Sequence, residues 1–83
     1  IQSGLLIVEK SYDASDWKRV DSQEYANGLF TTNFRTHYGS GNTVQIYAPS
    51  GADLNRGIYV RVTYVYEAKH TFIEKNLMFL HLS

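Results

Sequence analysis

No cysteine occurs in the 83 residues of this chain, which removes disulfides, thiolate metal sites and cysteine nucleophiles together. A small secreted domain often carries disulfides, so their absence points to an intracellular or an assembled setting. Subunits of virions and surface filaments escape that inference, because neighbouring subunits supply the missing stability. Charge of one sign is lacking too: eight basic and eight acidic residues cancel, and like charges form no run. No net field therefore draws the chain to nucleic acid or to an anionic membrane. No stretch approaches the roughly 20 apolar residues of a membrane span, and the apolar run at 4–8 is too short for a signal-peptide core. The chain opens on Ile1 and not on Met, so a processed product or a fragment of a longer protein is expected. No localisation follows from these absences.

Signatures of chemistry are equally scarce. The three histidines, His37, His70 and His81, fall in separate segments with no H-x-x-x-H or H-x-H pair, so no metal site is expected. There is no G-x-S-x-G motif, and Ser40 and Ser50 sit beside glycines in turn-rich stretches, where they read as turn formers. Gly39-Ser40-Gly41 runs into a strand pattern and not into a helix N-terminus, which excludes a phosphate loop. No cofactor is implied. An acid/base site would need His37, Arg61 and Glu67 to meet across adjacent strands. The ordinary outcome of such a grouping is an exposed ion pair.

What the chain does contain is aromatic and alternating. Seven Tyr, four Phe and one Trp make up 14 % of it. Tyrosine joins a large apolar ring to a polar tip, which suits interfaces, although sheet propensity alone accounts for the same enrichment. Residues 58–67 alternate almost strictly. Ile58, Val60, Val62, Tyr64 and Tyr66 share one strand face; Tyr59, Arg61, Thr63, Val65 and Glu67 share the other. The first face is apolar enough for a core, and the second faces solvent or a partner.

Around this strand the pattern reads β-α-β-β-β-β. Residues 4–12 form a first strand, apolar on both faces at Leu5 to Val8, hence an inner strand or one covered by a helix. Residues 13–26 read as a helix with Asp13 or Ser15 as N-cap, Trp17 and Val20 as its buried anchor, and Asn27-Gly28 as its stop. Residues 29–38 and 43–48 make a hairpin around a turn at 39–42. Residues 49–57, with the only proline, read as a long turn-rich connection. A short turn at 68–71 leads to a last strand over 72–82, whose apolar end should lie buried or paired. The loop, I-x-V-x-V-x-Y-x-Y and second apolar strand over residues 56–82 are similar in order to the C-terminal half of TadE-like pilus proteins. The long apolar N-terminal helix of that family is missing, with a strand-like segment in its place.

The expected fold is a single small α+β domain over residues 1–83, one helix on a mainly antiparallel sheet of four to five strands. An all-β sandwich or small barrel is the alternative if residues 13–28 prove to be loop. The expected function is a non-catalytic interaction or structural assembly module, such as a subunit or fragment of a surface, pilus or virion assembly. Its partner would be another protein or a second copy. Its binding face would carry Tyr59 and Arg61 from the long strand, joined by Tyr47, Arg35 and His37 from the hairpin. Tyr and Arg are the types that anchor interfaces. The 49–57 connection is a second candidate contact. The same aromatic and cationic residues could stack a single nucleic-acid strand, but neutral charge and the lack of a recognition motif argue against it. The alternative class is a small acid/base enzyme, a nuclease or hydrolase, using His37, Arg61 and Glu67.

Overall fold

The computed structural model describes residues 4–36, 39–67 and 69–82, with only the backbone described at 33–36 and 39–42. In chain order the elements are β1 (Leu5–Ser11), β2 (Lys18–Arg19), α1 (Ser22–Tyr25), β3 (Leu29–Thr36), β4 (Gly39–Tyr47), α2 (Gly51–Arg56), β5 (Ile58–Glu67) and β6 (Thr71–Leu80). One four-stranded sheet runs in the order β2-β1-β5-β6, and β3 with β4 forms a separate two-stranded sheet. Every pairing is antiparallel. The protein is thus mostly antiparallel sheet with two short helices, and the larger sheet does not close into a barrel.

The alternation of β5 is realised residue by residue. Ile58, Val60, Val62, Tyr64 and Tyr66 are all buried. Val60 and Val62 meet Val8 from β1, Val20 from the segment after β2, and Ile46 and Tyr47 from β4 in one core. Burying an aliphatic side chain of this size contributes about 1.5–3 kcal/mol relative to exposure. Leu6, Tyr25, Phe30, Val44, Met78 and Leu80 pack around that centre, so both sheets and α1 share it.

The long helix expected over 13–26 is not found. The Asp13 carboxylate accepts hydrogen bonds from the backbone N–H groups of Ser15 and Asp16, each at 2.9 Å, and from the Ser11 hydroxyl at 2.8 Å. Ala14 then takes a left-handed φ of 60°, which no helix accommodates. A short acidic side chain has offered the backbone a local alternative to helix. Residues 18–19 extend instead beside β1, and the Val20 N–H donates to the Val8 carbonyl at 3.0 Å. Helix forms only at Ser22–Tyr25, where Asp21 and Glu24 make a capping box.

Two further expectations shift. The hairpin is present, but its second strand begins at Gly39, so residues 39–42 belong to a strand and not to the turn. The 49–57 connection holds a helix: the Ser50 hydroxyl accepts from the Asp53 N–H at 3.1 Å, and Gly57 ends it at a φ of 90°. The last strand is paired as expected, along its full length with β5 from Glu67↔Thr71 to Ile58↔Leu80, without a register shift.

Candidate functional site

The register places three strands side by side on the sheet face opposite the core. Across that face run the rows Leu5-Val65-Ile73, Ile7-Thr63-Lys75, Glu9-Arg61-Leu77 and Ser11-Tyr59-Phe79. Most of these side chains are apolar, yet Ile73, Leu77 and Phe79 are 63, 61 and 52 % exposed. All three lie on β6, the edge of the sheet. Large apolar groups held in solvent by a regular ladder make this face a candidate contact surface.

Tyr59 and Arg61 both lie on this face. The Tyr59 ring packs on Phe79 with centroids 4.7 Å apart, a cross-strand aromatic pair. Arg61 donates from Nε and Nη2 to Glu9 Oε1 at 3.1 and 3.0 Å, and its guanidinium lies 4.2 Å from the centre of the Trp17 ring. Trp17 was expected as the anchor of a helix. It covers Arg61 instead, a consequence of the extended path of 17–19.

Tyr47 does not join this face. It is 1 % exposed and packs in the core between the two sheets, edge to face with Tyr25 at 6.4 Å. Arg35 lies on the β3 backbone in the separate two-stranded sheet, and His37 lies outside the described residues. Glu67 shares a face with Arg61, but six residues along one strand set them about 20 Å apart. Its Oε1 accepts from the Thr71 hydroxyl at 3.3 Å across the β5–β6 hairpin.

A second cluster was invisible in the sequence. Lys10, on the core side of β1, pairs with Glu24 of α1 and lies 3.9 Å from Asp53 of α2. Asp53 also accepts from the Tyr12 hydroxyl at 2.5 Å, and the Arg56 guanidinium lies 3.8 Å from the Tyr12 ring centre. Partial burial works against the charge on Lys10, but the Glu24 hydrogen bond and the Glu24 and Asp53 charges outweigh it and raise its pKa. The amine therefore stays protonated at neutral pH and serves as a fixed cation that ties both helices to the sheet. It is not a free base or nucleophile.

Beside it lies a cleft of about 360 Å³, lined by Lys10, Lys18 and Arg56 and by Asp13 and Asp16. The cleft carries both cations and carboxylates, and Asp13 is already committed to the turn. Among the described residues no group of three or more metal-ligating side chains gathers. The signals for the cluster were single residues 14 to 43 positions apart, brought together only by the path of the chain.

Comparison with protein-family models, with curated proteins and with solved structures finds no match for this chain.

Proposed function

We propose that the protein is a non-catalytic interaction module, one unit of a protein assembly, that makes contact through the outer face of its four-stranded sheet. The observation that carries this reading is the exposure of Ile73, Leu77 and Phe79 on a strand paired with β5 along its full length. Leu5, Val65 and Tyr59 continue the apolar surface, while the Arg61–Glu9 pair and Lys75 add polar groups that can fix orientation. Tyr59 and Arg61 belong to the types that carry binding energy in protein interfaces.

Sedimentation velocity from micromolar to millimolar concentration tests the reading, with the double variant Ile73→Lys/Leu77→Lys as control. The native chain is expected to associate as concentration rises and to bind an apolar fluorescent dye. The double variant should stay monomeric and bind less dye, with an unchanged circular dichroism spectrum. A native chain that stays monomeric throughout and binds no more dye than the variant overturns the proposal.

A further inference from the structure

The two edges of the larger sheet are built differently. The β2 edge is two residues long, and both are cationic, Lys18 and Arg19. Short length and charge are the usual protections of an edge strand. The β6 edge is long, and its only charges are the adjacent Glu74 and Lys75, which are opposite in sign. It runs for ten residues with no register shift against β5 and no proline, and no other strand pairs with it among the described residues. Its side chains alternate between an exposed row, in which Ile73, Leu77 and Phe79 flank Lys75, and a half-buried one. Such an edge is a template for another strand.

We propose that β6 pairs antiparallel with β6 of a second copy, making one continuous sheet with a two-fold axis at Asn76. This rests on the interaction-module reading and names its partner. Directly opposed residues in an antiparallel pair lie on the same face, so a symmetric pairing must centre on a residue. Centring on Glu74 or Lys75 sets like charges directly opposite each other, which is destabilising.

Centring on Asn76 avoids both and uses residues 72–80 of each copy. Ile73 then faces Phe79 and Lys75 faces Leu77 on the outer side; Phe72 faces Leu80 and Glu74 faces Met78 on the inner side. The two Asn76 amides meet at the axis, where each can donate to the other. Centring on Leu77 shortens the ladder to 74–80 and leaves Ile73 without an opposite residue in β6. Eight positive and eight negative charges per chain leave no net repulsion between copies.

Because the chain has no cysteine, single-cysteine variants report the pairing directly. Opposed residues have Cα atoms about 4.5–5.5 Å apart, within the roughly 4.4–6.8 Å span of a disulfide. Under mild oxidation Asn76→Cys is expected to give a covalent dimer. Ile73→Cys alone should not, because its two copies lie about 20 Å apart along the strand. Lys75→Cys mixed with Leu77→Cys, both exposed positions, should cross-link more readily than either alone, and this pair serves if Asn76→Cys does not fold.

Three outcomes would sink the edge pairing. They are a native chain that is monomeric at millimolar concentration, cross-linking through Ile73→Cys alone, and a native dimer in which neither Asn76→Cys nor the 75/77 mixture cross-links. The contact face itself stands or falls separately: apolar dye binding that is lost in Ile73→Lys/Leu77→Lys would persist for a monomer that uses the face with a different partner.

Discussion

The guanidinium of Arg61, on the outer face of the sheet, lies over the ring of Trp17, 4.2 Å from its centre. The two residues are 44 positions apart and reach each other because residues 18–19 run beside β1. The same Arg61 side chain is held by Glu9, its directly opposed neighbour on β1.

Arg61→Ala should therefore lower stability by about 1 kcal/mol, the sum expected of a partly exposed ion pair and a cation–π contact. Trp17 is the only tryptophan, so its fluorescence reports the change. Emission is expected to shift to longer wavelength while the protein remains folded. An emission spectrum identical to that of the native protein would show that the stacking does not persist in solution.

The two faces of β5 should respond in opposite ways. Val62→Asp places a carboxylate at a fully buried position with no cation opposite it; its partners across the strands are Val8 and Asn76. Several kcal/mol are lost for an unpaired buried charge, against a total of roughly 4–12 kcal/mol for a domain of this length, and the variant is expected to be unfolded. Tyr59→Ala removes one ring of a half-exposed pair and should leave the fold intact. Circular dichroism of the two variants measures both, and an unfolded Tyr59→Ala would contradict the assignment of faces.

Tyr47 carries a buried hydroxyl that has no hydrogen-bond partner among the described residues. Burial raises the pKa of this phenol well above the ordinary tyrosine value. A buried polar atom without a partner costs about 1–3 kcal/mol. Tyr47→Phe should then be neutral or stabilise the protein by up to about 1 kcal/mol in urea denaturation. A loss larger than that would mean the hydroxyl is satisfied.

Stability should fall at both extremes of pH, for different residues. The Asp16, Ser15 and Ser11 hydrogen bonds hold the Asp13 carboxyl down at about 2, against an ordinary 3.8. A lowered carboxyl contributes stability that is present above pH 3.8 and is lost as pH falls towards 2. Lys10 and Tyr47 are both raised, so their contributions are full below the ordinary values of 10.5 and 10.0 and are lost as pH rises beyond them. Amide NMR shifts of Ser15 and Asp16 should titrate with the Asp13 carboxyl and lose that step in Asp13→Asn. Titration at an ordinary carboxyl value would mean the turn is not formed.

Much of the sheet is legible in the order of the residues. Ile58 to Glu67 alternates because its strand has core on one side and a half-open face on the other, and a period of two survives any change of neighbours. The β3–β4 hairpin and the pairing of the last strand were legible on the same ground. The helix was not. Asp13 can cap a helix or close a turn with the same oxygen, and local sequence does not say which, since Trp17 and Val20 satisfy either arrangement. The Ser50-to-Gly57 helix carried its signals, a Ser N-cap and a terminal Gly, inside a stretch whose proline and glycines resemble a loop.

The candidate face divides in the same way. Tyr59 and Arg61 lie where alternation puts them, because a strand's own period decides which side each residue takes. Tyr47 alternates equally well, yet its ring is in the core, because β4 joins a second sheet that stacks against the first. Sequence alone determined which residues share a face of each strand, since that depends on backbone geometry within a few residues. Only the tertiary structure decided which faces are covered, that Lys10 meets Glu24 and Asp53, and that β6 stands at an open edge. Those depend on contacts between residues far apart in the chain, and no local period records them.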